Sequence, residues 1–267
     1  MTLHTKDSAT FQQVKDSTRP SQFAGLPLSV EQGAKYITYD WNFVHEWDRP
    51  GSTTGGWTVT VVGTTPTATL SDDLIPPRLI ITNTAVDNDQ LEAQYTSTDG
   101  AGEFLKLRAN KKLYFRCAFA FADANGNAAT IQESDLFIGL AISDTTVIAG
   151  VTDYIGFFKP DGSLALRFVA GKNSTTLGDQ HTTTIKTFVA ADASVTTPAE
   201  SKLTTCEFLA IGTNRVLVWV NNALVANVTS STQFPDDEEL CVTACFQNGE
   251  AVQKLLHIGQ LYVAQER

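Results

Sequence analysis

The sequence predicts an all-β protein, an antiparallel sandwich of the jelly-roll kind with an extended N-terminal arm. Three observations predict it. Short segments rich in Val, Thr and aromatic residues recur between closely spaced turn signals. Lys112 to Asp123 alternates with a period of two, with Leu113, Phe115, Cys117, Phe119 and Phe121 on one face and Tyr114, Arg116, Ala118 and Ala120 on the other. No strong amphipathic helix pattern interrupts the series.

Taken in order, residues 1–35 differ from the rest. They are polar, and Arg19-Pro20 and Leu26-Pro27 break any long element. Ser8 to Lys15 could form a short helix carrying Phe11 and Val14, while Phe23, Leu26, Leu28 and Val30 are apolar beads on an extended string. An arm of this kind packs either on its own domain or on a neighbouring subunit.

Residues 36–267 read as the sandwich. Tyr36 to Trp47 is its aromatic-rich first strand, and Gly55-Gly56 precedes the next, Trp57 to Val62. Strands follow near Ala68 to Leu70, Arg78 to Thr82 and Leu91 to Tyr95, with a bend at Pro76-Pro77. After Lys112 to Asp123 the composition of residues 123–127 marks a loop, and Leu136 to Ile142 is a buried strand. Tyr154 to Phe158 and Leu164 to Val169 form a hairpin about Pro160-Asp161-Gly162. Thr175 to Thr197 reads as edge strands or a long loop.

Leu203 to Ile211 pairs with a second hairpin, Arg215 to Val228. Asn tolerates left-handed backbone, so Asn221-Asn222 suits a two-residue turn. That turn sets Val220 opposite Ala223, Trp219 opposite Leu224 and Val218 opposite Val225. Both faces of this hairpin are then apolar, which suggests a central core position or a covered outer face. Leu240 to Phe246 and Leu255 to Val263 close the domain.

Composition narrows the function. The formal net charge of −10 implies no phosphate-neutralising surface, so no nucleic-acid partner is expected, and an anionic membrane would repel the chain. No apolar run is long enough to span a bilayer, and the N-terminus lacks the apolar stretch of a signal peptide. The expectation is a soluble chain made in a cytoplasm. Cys117, Cys206, Cys241 and Cys245 are too few for a disulfide scaffold and are expected as buried free thiols.

Catalytic and metal motifs are missing. Sandwich glucanases carry alternating carboxylates on one strand; Glu133 and Asp135 have that parity but sit at a strand entry and read as solvated charges. Asp87 and Asp89 flank Asn88 without the Gly and distal Glu of a calcium loop. Asp236 to Glu239 reads as a solvated acidic turn. His4, His45, His181 and His257 are scattered, and no zinc spacing, nucleophile elbow or phosphate loop appears. Asn173-Ser174-Thr175 and Asn227-Val228-Thr229 match a glycosylation pattern by chance. Trp41, Trp47 and Trp57 could make a sugar-stacking platform, though clustered Trp are more often core. No enzyme activity, cofactor or metal is expected.

Five segments resemble a family of tailed-phage head-associated proteins: residues 87–95 (DNDQLEAQY), 136–145 (LFIGLAISDT), 155–163 (IGFFKPDGS), 215–226 (RVLVWVNNALVA) and 261–267 (LYVAQER). The resemblance implies a concanavalin-like sandwich and a non-enzymatic virion protein that decorates or cements the capsid. It implies binding to the major capsid protein as a homo-oligomer, on the surface of a virion assembled in the host cytoplasm. Phe11, Val14, Phe23, Leu26 and Leu28 of the arm would dock between capsid subunits. The alternative is a lectin-like carbohydrate-binding module of a phage fibre or adhesion protein, which would take a surface glycan.

Overall fold

The computed structural model describes residues 36–41, 43, 56–71, 74, 77–96, 103–123, 129–189, 192, 197–230 and 232–267. The elements are the strands Tyr36–Trp41 (β1), Trp57–Val62 (β2), Thr67–Ser71 (β3), Arg78–Thr82 (β4), Gln90–Tyr95 (β5), Lys112–Asp123 (β6), Ser134–Ala141 (β7), Tyr154–Lys159 (β8), Ala165–Gly171 (β9), His181–Thr187 (β10), Thr204–Ile211 (β11), Arg215–Val220 (β12), Ala223–Thr229 (β13), Cys241–Asn248 (β14) and Lys254–Glu266 (β15). Among the described residues, the one-turn α-helices Ala129–Gln132 (α1) and Val147–Gly150 (α2) and the 3-10 turn Glu200–Lys202 lie between strands.

The strands form two antiparallel sheets. The eight-stranded sheet runs β13-β12-β11-β6-β15-β4-β3, with β1 on β15 beside β4. The seven-stranded sheet runs β10-β9-β8-β7-β14-β5-β2. Period-two alternation puts Phe115, Phe119, Phe208, Val218 and Ile258 of one sheet against Ile138, Phe157, Phe168 and Phe246 of the other in one inter-sheet core. Phe115 to Phe157 and Phe121 to Phe246 ring contacts, at 6.4 and 6.1 Å, bridge the layers. Fully burying one such aromatic contributes about 1.5–3 kcal/mol.

At one end of the sandwich two lysines are drawn inside. Lys159 Nζ donates to the carbonyls of Gln132 (2.7 Å) and Ser134, and Lys254 Nζ donates to the carbonyl of Glu133 and pairs with Glu250 at 3.2 Å. Together they tie residues 132–134 over the core edge. Burial lowers the Lys159 ammonium to about 7, against the pull of Asp135 and Asp161.

The hairpin does not take the first of its two expected places, the central one. Asn221 and Asn222 do take positive φ, 49° and 66°, and Val220–Ala223 and Trp219–Leu224 pair as expected. A bulge between Val218 and Trp219 then pairs Val218 with Ala226 instead of Val225. The extra residue turns Ala226 and Val228 toward the core and leaves Leu224 and Val225 exposed. β13 is an edge strand, so the hairpin is not central. The described first strand is Tyr36–Trp41, and residues 44–47 of the expected strand lie outside the described residues.

Candidate functional site

The outer face of the seven-stranded sheet is unusual along β5. Leu91 and Ala93 point into the core, so Gln90, Glu92 and Gln94 share the outer face, yet all three are buried. What covers Glu92 and Gln94 is the β7–β8 connection, residues 142–153. Gln94 Nε2 donates to the Ile142 carbonyl and to Thr243 Oγ1 (3.0 and 3.1 Å), and Gln94 Oε1 accepts from Asp144 N at 3.0 Å. Glu92 Oε2 accepts from Val147 N and Gln90 Nε2, each at 3.0 Å, and Glu103 accepts from Ser143 N at 2.5 Å. The connection then drops Val147 and Val151 onto Phe137, Tyr154 and Val169, a second small core outside the sheet.

Glu92 is the electrostatic anomaly of this face. Its Oε1 is buried with no hydrogen-bond partner. Burial pushes the carboxyl up to about 7 and the charge of Asp144 adds to this, while donors at Val147, Cys245 and Gln90 oppose it. A carboxyl at that value can give or take a proton at neutral pH. Its side chain is enclosed, however, and its bonded oxygen is committed to the connection, so its geometry is that of a latch.

The solvent-facing chemistry lies on the loops at the same end. Asp153 Oδ1 accepts from Asn173 N (3.1 Å), which fixes Asn173 at φ 49°. The exposed Asn173 side chain donates to Asp237 Oδ2 at 2.9 Å, and Lys172 reaches Asp236 (2.6 Å) and Asp237 (3.6 Å). The hydrogen bond to Asp236 is the main reason the Lys172 ammonium is held above its ordinary value. Residues 171–180 wrap the Tyr154 hydroxyl, which donates to the Thr176 carbonyl (3.0 Å) and accepts from Gly178 N (2.7 Å). Burial would raise the Asp179 carboxyl, but donors at Ser174 and Thr175 outweigh it and hold it below the usual range. The result is a rigid rim of amide and carboxylate groups from three connections.

Gly171 is what lets Tyr154 sit there. A Cβ at this position would lie 2.5 Å from the phenol ring. Gly171→Ala is expected to cost about 2 kcal/mol through overpacking; chemical denaturation measures it, and a loss within error would contradict the packing.

The residues singled out from sequence fall as follows. Phe11, Val14, Phe23, Leu26, Leu28 and Trp47 lie outside the described residues. Trp41 and Trp57 are core, 5.6 Å apart and packed with Tyr39 and Tyr95, so these two form no sugar platform. Asp89 is fully committed: Oδ1 accepts from Thr64 N and Oγ1 (2.6 and 3.1 Å), Oδ2 from Thr84 N and Oγ1 (2.9 and 2.5 Å). Asp135 accepts from Asp161 N at 2.7 Å, and burial raises its carboxyl. The acidic turn is only partly solvated, since Asp236 and Asp237 are bound to Lys172. All four thiols are buried and free, as expected, and burial pushes Cys241 up to about 12. No group of His, Cys, Asp and Glu among the described residues is arranged to hold a metal ion.

Sequence reasoning missed Gln90, Glu92 and Gln94, although the run Q-L-E-A-Q shows polar residues at alternate positions of a strand. It also missed Asp153, and it gave Asn173 and Asp237 other roles, a chance glycosylation match and a solvated acidic turn.

No family model matches the chain, and no curated protein matches it. Solved structures do. A protein of unknown function from Shewanella oneidensis MR-1 is 14% identical with a TM-score of 0.52, over 87% of each chain. The metal-free carbohydrate recognition domain of Emp46p is 10% identical with a TM-score of 0.52, over 84% of this chain and 95% of that one. A carbohydrate esterase from Shiga toxin-encoding bacteriophage phi24B is 16% identical with a TM-score of 0.49, over 86% and 98%. At these identities the likeness shows the fold, a concanavalin-like β-sandwich, as expected. It does not identify a capsid-decoration family.

One expectation is overturned. The chain was expected not to be an enzyme, but the matching sandwiches include that esterase and an endo-β-1,4-glucuronan lyase from Trichoderma reesei (13% identical, TM-score 0.48, over 78% and 90%). Enzymes occur among the matching structures, so the expectation of no activity is withdrawn.

Proposed function

We propose that this chain is a carbohydrate-binding module that takes a saccharide on the loop rim of its seven-stranded sheet. One observation carries the reading: Asp153, Asn173, Lys172 and Asp237 hold one another in a fixed, partly exposed array. Sugar hydroxyls are bound by a few well-placed amide and carboxylate groups, and fixing them beforehand lowers the entropic cost of binding. The fold shared with the Emp46p carbohydrate recognition domain supports this reading. The capsid-cement reading has no comparable support, because its contacts were assigned to the arm.

A glycan-array screen of the full chain, followed by calorimetric titration of the best ligand, tests it. Asn173→Gly, which keeps the left-handed backbone at this position, and Asp237→Ala are expected to weaken binding at least tenfold, about 1.4 kcal/mol each, with thermal stability nearly unchanged. Equal affinity in both variants, or no array ligand, would contradict it.

A further inference from the structure

Residues 142–153 form a closed loop, and its two faces have different partners. Its ends meet where Ile142 N donates to the Asp153 carbonyl at 3.0 Å. Its middle is tied to the sheet at Glu92, whose Oε2 accepts from Val147 N, and at Cys245, which the Ile148 backbone reaches. Its far end carries the rim. The Thr152 carbonyl accepts from Ser174 N at 2.8 Å, Asp153 Oδ1 accepts from Asn173 N at 3.1 Å, and Val151 shares a small core with Leu177. Asn173 is thus held from behind by a loop that Glu92 holds to the sheet.

The Glu92 anchor depends on its proton. Oε1 is buried without a hydrogen-bond partner, so an ionised carboxylate there lacks solvation that it regains when the loop lifts. Among the described residues, the titratable groups that face it are Asp144 from the loop and Cys245 and Cys241 from β14, with Glu103 beyond them on Ser143 N. β2 sets Thr60 opposite it. Burial keeps both thiols neutral, and none of these groups is a cation.

We propose that Glu92 is a pH-operated latch on the rim: when its carboxyl loses its proton, residues 142–153 lift from the sheet and Asn173 loses its support. With the loop down, the carboxyl titrates at about 7, against an ordinary 4.5 once water reaches it. The closed loop therefore holds the extra proton. The latch is fully effective below the lower value and weakens as pH rises through the upper one, and the closed-to-open ratio falls about tenfold between about pH 6 and about pH 8. That the opening releases saccharide rests on the saccharide reading of the rim; the opening itself does not.

Hydrogen–deuterium exchange of the full chain without ligand tests the latch, at about pH 6 and about pH 8, beside Glu92→Gln at the same pH so that the intrinsic pH dependence of exchange cancels. The parent-to-variant ratio of exchange rates is expected to rise about tenfold between the two pH values over residues 143–150 and 172–176, and to stay constant in β6 and β15. Asp144→Asn, which keeps an acceptor for Thr146 N, is a second variant and is expected to move the same ratio part of the way. A constant ratio over residues 143–150, a rise that leaves residues 172–176 unmoved, or an equal rise throughout the chain would overturn the proposal. Adding the best array saccharide is expected to slow exchange over residues 143–150, because a ligand that holds the rim also holds the loop. Binding that leaves this exchange unchanged would overturn the coupling to the rim, whereas absence of binding beside an intact pH-dependent opening would sink the saccharide reading alone.

Discussion

Asp89→Ala is expected to destabilise the protein by about 4 kcal/mol, near 10 °C in melting temperature for a chain of this size. The carboxylate is fully buried and accepts from both the N–H and the hydroxyl of Thr64 and of Thr84, so it staples the β2–β3 turn to the β4–β5 turn. Truncation removes the acceptor of two backbone N–H groups, that of half-buried Thr84 and that of exposed Thr64, where water replaces part of the roughly 1–3 kcal/mol each would cost if fully buried. Gly63 makes room for the staple, since a Cβ there would lie 2.3 Å from Asp89 Oδ1. Burial works to raise this carboxyl, but the four donors outweigh it and hold it below its ordinary value. Its contribution is therefore present above the unfolded value near ~3.9 and is lost as pH falls through the folded one. Asp89→Asn keeps one acceptor oxygen and is expected to lose about half as much. Urea denaturation of both variants at neutral pH checks the order; equal stability of Asp89→Ala and the parent would refute the staple.

Glu92→Gln is expected to act in the opposite direction. The folded carboxyl titrates near about 7 against an ordinary 4.5, so the folded state holds the extra proton between those values. Stability is then fully present below the lower value and declines as pH rises through the upper one, by on the order of 3 kcal/mol in all. Glutamine keeps an acceptor for Val147 N and cannot ionise. The variant should therefore have a flatter stability profile between pH about 4.5 and 7, and should exceed the parent at pH 8. Parallel profiles for parent and variant would show that Glu92 is not buried as a latch.

Much of the fold was legible because sandwich strands carry their own parity. Lys112 to Asp123 declared both faces, and Leu113, Phe115, Cys117, Phe119 and Phe121 all lie in the core. The Asn221-Asn222 turn was legible for a similar reason, since left-handed backbone favours Asn. The bulge in the same hairpin was not. In A-L-V-A every residue is small or apolar, so a one-residue slip leaves no mark on the pattern.

The site was less legible than the fold. Gln90, Glu92 and Gln94 show their alternation, but only the crossing of residues 142–153 makes them buried, and that crossing is set by the order of strands. Asp153 and Asn173 are separated by 20 positions and Asn173 and Asp237 by 64. The sheet order β9-β8-β7-β14 brings the ends of those strands together. Asn173 read as a chance glycosylation match because nothing local to it announces its partners.

The measurement that tests the central claim most directly is amide chemical-shift mapping of the full chain during titration with its best array saccharide. The saccharide reading predicts saturable shifts confined to residues 142–153, 172–180 and 234–240. Shifts centred on the opposite end, around residues 83–89 and 249–253, or no shift at any saccharide concentration, would contradict it.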